Sequence, residues 1–277
     1  MRPLSDADRH DAIPAQATGT AVLLLAGSSG RVERERAEML ADRGARVAAI
    51  RWFGGDGRRP TPHEVPIELF IAELDGLRAD ADHVAIVGTS FGAEAALVTA
   101  TLTAVDAVVA IAPSSVVWGG LRDEEWSSHW TFHGAPLPWV SFDPSWSPST
   151  DPPSYRGLYE QSLRLAPSMT AAARIRAEEI TGEVLLVAGG DDQVWPSERF
   201  AAEIEQARIT AGRRTTVITH PHAGHRLLLP GEEPAEGGIR MARGGRADAD
   251  AELGQRAWPE LLRVLRLRDD LPPFTSE

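Results

Sequence analysis

His83-Val-Ala-Ile-Val-Gly-Thr-Ser-Phe-Gly-Ala-Glu-Ala-Ala-Leu-Val-Thr-Ala-Thr-Leu102 decides the fold. Its first five residues form an apolar run of strand type. Its last twelve are rich in Ala and Leu and read as a helix. Where they join lies Gly88-Thr-Ser-Phe-Gly92, a G-x-S-x-G pentapeptide. A serine on so sharp a strand-to-helix turn leaves no room for side chains two residues to either side, which is why glycine stands at both places. The bare pentapeptide is common by chance; the strand before it and the helix after it give it weight. Read this way, Ser90 is a nucleophile held at the tip of a tight elbow.

The same alternation runs outward in both directions. Ala21–Ala26 reads as a buried strand closed by the turn Gly27-Ser-Ser-Gly30, Val32–Arg43 as a helix stopped by Gly44, and Val47–Ile50 as a second strand. Pro66–Arg78 reads as a helix with proline in its first turn. After the elbow come a strand over Asp106–Ile111, a strand over Val184–Ala188, a helix over Ser197–Ala211 and a strand over Thr215–Thr219. A glycine- and charge-rich loop over Gly231–Ala249 precedes a last helix over Ala251–Leu267. Continuous apolar strands alternating with helices predict an α/β fold, a mostly parallel sheet covered on both faces. Residues 1–19 are polar and read as a lead-in to one domain over 20–277. The alternation breaks over about 114–170, where Trp118, Trp126, Trp130, Trp139, Trp146 and a run of prolines predict an insertion over the active site.

A serine hydroxyl needs a base, and the base needs an orienting acid. On this fold the chain order is Ser, then acid, then His. Gly189-Gly-Asp-Asp-Gln-Val-Trp-Pro196 follows one strand and offers two carboxylates; His220-Pro-His-Ala-Gly-His225 follows the next and offers three imidazoles. Asp192, four residues before Pro196, is the expected acid, with Asp191 stabilising the turn. His225 is the expected base, because Ala223 and Gly224 let its loop approach the serine closely; His220 and His222 read as surface histidines. The oxyanion donors expected are the backbone N–H of Phe91, at the start of its helix, and that of Ser28 in the turn after the first strand. That turn lacks both G-x-G-x-x-G and G-K-S, which sets a nucleotide loop aside.

Composition narrows the classes further. The 277 residues are 43% hydrophobic and 25% charged, with a formal net charge of −12 and no cysteine. All basic side chains are arginine. A thiol nucleophile, disulfides and thiolate metal sites are ruled out, and the acidity disfavours a nucleic-acid partner. No apolar run reaches the length of a membrane span and no signal core opens the chain, so a cytoplasmic protein without membrane contact is expected. No metal and no cofactor is called for.

The chain also resembles the C-terminal catalytic domain shared by acyl-CoA thioesterases and bile acid-CoA:amino acid N-acyltransferases. The likeness is carried by Leu25–Arg31 with Arg36–Gly44, Ile86–Leu97, Val108–Trp118, Trp130–Pro138, Gly190–Ser197, Ala223–His225 and Ala257–Pro259. It implies an α/β-hydrolase fold, the Ser90–Asp192–His225 assignment and acyl transfer from a thioester. Family transferases that make amides tend to carry cysteine as nucleophile, so Ser90 points to hydrolysis. Three departures accompany the likeness. There is no room for the N-terminal β-sandwich of the larger members. The first strands usual to the fold look missing, and Phe91 stands where lysine is common.

The expected activity is therefore that of a serine hydrolase cleaving a small-molecule acyl thioester or ester, with coenzyme A as one carrier, through an acyl-enzyme on Ser90. Acyl transfer to an amine or alcohol, carboxylesterase or lactonase chemistry on the same triad, and a non-catalytic binding protein of the same fold are the alternatives. Arg226, Arg240, Arg243 and Arg246, which follow the base, are candidates to meet coenzyme A phosphates; the loop over 236–250, which carries the last three, reads more readily as solvated. The insertion's aromatics suit an apolar acyl pocket and plain packing alike.

Overall fold

A computed structural model of the chain describes residues 4–233 and 239–269. Its centre is a seven-stranded sheet. We number the strands β1 (Arg9–Ala12), β2 (Thr20–Leu25), β3 (Arg46–Ile50), β4 (His83–Thr89), β5 (Ala107–Ile111), β6 (Glu183–Gly189) and β7 (Thr216–His220). They lie in the order β1-β3-β2-β4-β5-β6-β7. All neighbours are parallel except β1, which runs antiparallel to β3 with Arg9 opposite Ile50.

The period of two along each strand sorts the core into two layers. From β2, Ala21, Leu23 and Leu25 face one layer with α2 (Glu68–Arg78), α3 (Phe91–Leu102) and α6 (Ser197–Thr210). Val22 and Leu24 face the other, with α1 (Arg34–Asp42) and α7 (Ala247–Val264). Both layers are needed because parallel strands are apolar on both faces. The family-typical α/β-hydrolase architecture expected from the sequence is the one observed.

The strand order fixes where chemistry can sit. The chain passes from β2 outward to β3, then returns to β4 on the other side of β2. The carboxyl ends of β2 and β4 thus flank a topological switch point, where loops diverge and leave a crevice. The turn after β2 and Ser90 after β4 both open there.

Two sequence expectations change. The lead-in is not merely a lead-in: Arg9–Ala12 supplies the edge strand that looked missing. Its polar character has a reason, because at a sheet edge only Ala12 is buried, while Arg9 ion-pairs with Asp11 and with Glu73 of α2. The last helix begins at Ala247 rather than Ala251; Asp248 and Asp250 in its first turn suit the positive end of a helix.

The insertion runs on to about residue 182. It holds a hairpin (119–122 with 125–128), a strand 130–132 that pairs with 65–66 and 135–136, and α4 (Arg156–Leu165) and α5 (Pro167–Ala172). Val116, Trp118, Val140, Tyr159 and Leu163 pack with Trp195 and Phe200 into a small core of their own. Trp118 and Trp130 are completely buried, so packing accounts for these two tryptophans. Among the described residues no helix is long and apolar enough to cross a membrane.

Candidate active site

Ser90 leaves β4 with φ 58° and ψ −122°, a conformation that L-residues adopt only when their surroundings enforce it. The enforcement is visible. The Ser90 amide donates to the Ile111 carbonyl at the end of β5 (2.9 Å), and the Ser90 carbonyl accepts from Ala93 (2.8 Å) and Glu94 (3.0 Å). A Cβ on Gly88 would lie 2.0 Å from the Gly92 carbonyl oxygen, and one on Gly92 would lie 2.5 Å from the Leu25 and Ala26 carbonyls. Both glycines of the motif are therefore obligatory for close approach, as their spacing suggests.

Three loops converge on Ser90. His225 Nε2 stands 2.9 Å from Ser90 Oγ, and His225 Nδ1 stands 2.8 Å from Asp192 Oδ2. Asp192 is wholly buried, and its other oxygen accepts from the amides of Val194 (2.9 Å) and Trp195 (3.2 Å). That turn fixes the carboxylate before α6 begins. Ser90 and His225 are 7% and 9% exposed, so the pair is nearly closed off from solvent yet reachable. Asp191 points away: Oδ2 accepts from the Gly245 amide (2.9 Å) and Oδ1 from Gln193 Nε2 (2.8 Å). Of the other two histidines, His220 reaches Glu252 and His222 donates its amide to His220 Nδ1.

Close approach of the histidine loop depends on small residues, some of which the sequence reading passed over. A Cβ on Gly189 would meet the Gly224 carbonyl at 2.2 Å. Gly244 and Gly245 (φ 68° and 75°) close over Gly224 from the other side, and the Arg243 carbonyl accepts the His225 amide at 2.9 Å. A glycine pair inside a charged loop was the available signal. Arg156 of α4 was also missed; it donates to the Gly190 (3.1 Å) and Asp192 (3.0 Å) carbonyls and so ties the insertion to the acid turn.

The turn after β2 rests against Ser90: a Cβ on Gly27 would stand 2.9 Å from Ser90 Cβ. Ser28 follows on this turn, exposed. Phe91 opens α3, where a backbone N–H has no carbonyl partner within the helix. Its ring lies 5.5 Å from that of Trp195, which is 5.7 Å from the His225 ring.

Behind the elbow, Arg36 of α1 pairs with both oxygens of Glu232 (2.5 and 2.8 Å) and donates to Thr89 Oγ1 (3.2 Å). Burial works against this guanidinium, but Glu232 outweighs it and holds its pKa above the ordinary value. Burial, with the charges of Glu94 and Asp192 nearby, pushes the Tyr159 phenol far above its usual range. At the rim, burial and then repulsion from Arg243 and Arg31 lower the pKa of Arg226. Arg240 pairs with Asp151 and Arg246 with Asp248. Residues 234–238, which include the first part of the arginine loop over 236–250, lie outside the described residues. Among the described residues, no three His, Asp or Glu side chains converge as a metal would require.

A serine on a strained strand-to-helix elbow at a switch point, with carboxylate and imidazole delivered from the ends of β6 and β7, defines an α/β-hydrolase fold. Within that class the chain belongs to the BAAT / acyl-CoA thioester hydrolase C-terminal family, which it matches over residues 77–267. Comparison with curated proteins finds no match. Among solved structures, the uncomplexed acylaminoacyl peptidase of Pyrococcus horikoshii aligns with a TM-score of 0.57 at 10% identity, over 95% of this chain and 40% of that one. An acylaminoacyl peptidase in complex with Z-Gly-Gly-Phe-chloromethyl ketone aligns with a TM-score of 0.54 at 10% identity, over 91% of this chain and 38% of that one. The chain thus spans about 40% of the length of the first of these. At such identity the likeness speaks to the fold.

Proposed function

We propose that the protein is a serine thioesterase that hydrolyses a small-molecule acyl thioester, with coenzyme A as carrier. The observation that carries this reading is the hydrogen-bonded chain Ser90–His225–Asp192, at 2.9 and 2.8 Å, built on a strained elbow. His225 takes the Ser90 proton as Oγ attacks the acyl carbonyl. Buried Asp192 holds Nδ1–H, which fixes the tautomer and stabilises the imidazolium. The backbone N–H groups of Phe91 and Ser28 receive the oxyanion, aided by the helix dipole of α3. The protonated imidazole then gives its proton to the departing thiolate, and a water activated by His225 cleaves the acyl-enzyme.

Membership of an acyl-CoA thioester hydrolase family supports the thioester. The carrier is supported by Arg226, the residue after the base, which lies near Arg243 and near Arg31, itself paired with Glu33. Clustered guanidinium groups beside an active site favour an anionic leaving group.

The test is thiol release from a panel of acyl-CoA esters, run beside neutral aryl esters, with Ser90→Ala as control. Thiol release lost in Ser90→Ala is the expected result. Ester cleavage without thiol release would replace the thioesterase reading with a carboxylesterase. Adducts with added amines or alcohols would replace it with an acyltransferase.

A further inference from the structure

We propose that Glu94 is a positioning residue that holds the two oxyanion donors in register with Ser90, by clamping the aromatic insertion onto the nucleophile helix. The inference rests on the hydrolase reading above, and deepens it.

Glu94 lies in the first turn of α3, its amide bonded to the Ser90 carbonyl. Its side chain is completely buried. One oxygen, Oε1, accepts from three groups of the insertion: the Trp118 amide (3.2 Å), the His129 ring at Nδ1 (3.1 Å) and the Trp130 indole N–H (2.7 Å). The second oxygen, Oε2, has no partner among the described residues. Burying a carboxyl in a packed interface is unfavourable, and an apolar side chain of similar size would pack there at less cost. What the carboxyl adds is register. Backbone 118, ring 129 and indole 130 meet one oxygen only when this part of the insertion sits in one place.

That place bears on both proposed oxyanion donors. The His129 ring stands 4.4 Å from the Phe91 ring, whose residue follows the nucleophile. The Trp130 ring stands 5.1 Å from Trp52, whose indole donates to the Ala26 carbonyl (2.9 Å) at the start of the turn that carries Ser28. Glu94 therefore connects the insertion to each side of the reacting centre without touching it. His129, with Nδ1 held, brings a polar edge to the otherwise aromatic cluster of Phe91, Trp195 and Tyr159.

The experiment compares p-nitrophenyl acetate with p-nitrophenyl decanoate on wild type, Glu94→Ala, Glu94→Gln and His129→Ala, reading kcat and KM separately. In Glu94→Ala, kcat is expected to fall about tenfold or more on both esters while KM changes by less than about threefold. Glu94→Gln retains an acceptor oxygen and is expected to restore most of kcat. His129→Ala is expected to lower kcat on both esters in the direction of Glu94→Ala. If Glu94→Ala does not fold, Glu94→Gln and His129→Ala carry the test, with a small and a larger loss of kcat respectively. An unchanged kcat in the folded variants, or a rise in KM without a loss of kcat, would overturn the clamp while leaving the hydrolase intact. Failure of wild type to turn over either ester or to react at Ser90 with a fluorophosphonate would instead overturn the hydrolase reading and the clamp with it.

Discussion

Replacing Asp192 by Asn separates the proposed orienting role of this carboxylate from its packing. The side chain is fully buried, with Oδ1 receiving two backbone N–H groups and Oδ2 facing His225 Nδ1 at 2.8 Å. In Asp192→Asn the amide has only one favourable orientation. Its oxygen must stay on the Val194 and Trp195 amides, because the reverse sets N–H against N–H in a buried turn. The NH2 group then faces His225 Nδ1 and forces that nitrogen to accept. The ring proton moves to Nε2 and points at Ser90 Oγ, where a proton acceptor is needed. The loss expected is about ten-thousand-fold in kcat, roughly 5.5 kcal/mol of transition-state stabilisation. The assay is steady-state kinetics on an acyl-CoA or aryl ester, with near-UV circular dichroism to confirm native packing. Asp191→Asn, whose carboxylate accepts from the Gly245 amide and Gln193 Nε2, serves as control and should retain kcat within about an order of magnitude. Native Asp192→Asn with kcat within tenfold of wild type would refute the orienting role.

Other outcomes follow from the same geometry. Gly88→Ala should lose about 3 kcal/mol or more of stability, read by denaturant unfolding, because its Cβ would lie 2.0 Å from the Gly92 carbonyl oxygen. Gly244→Ala should abolish turnover, since it combines φ 68° with a Cβ 1.7 Å from the Asp191 carbonyl. Glu232→Gln strands the Arg36 charge in a site where the two side chains are only 10% and 11% exposed. A destabilisation of about 3–5 kcal/mol is expected in the same unfolding assay, largely recovered when Arg36→Met is added. Arg226→Ala should raise KM for an acyl-CoA ester about three- to tenfold but leave a neutral aryl ester unchanged, and added salt should shrink the difference.

Much of the sheet is legible in the sequence because buried parallel strands leave continuous apolar runs, as in Ala21–Leu25 and Val84–Val87. The elbow is legible because Gly88 and Gly92 are steric requirements with no substitute. The positions of Asp192 and His225 could be anticipated from strand-end order and from the small pair Ala223-Gly224. What stayed hidden depends on contacts distant in sequence. The edge strand Arg9–Ala12 is masked by polarity proper to a sheet edge, and its partner β3 lies more than thirty residues on. Arg36, Arg156, Glu94 and Glu232 look like ordinary helix or loop charges until the fold brings them beside the site. The Gly244-Gly245 pair was visible, but nothing local indicates that it closes over Gly224.

The central claim is that Ser90 is the nucleophile, and covalent labelling tests it most directly. The protein is treated with a fluorophosphonate and analysed by intact mass and peptide mapping. One adduct per chain is predicted, mapped to Ser90, absent in Ser90→Ala and formed far more slowly in His225→Ala. An adduct on a different serine, or no adduct on natively folded protein, would contradict the account.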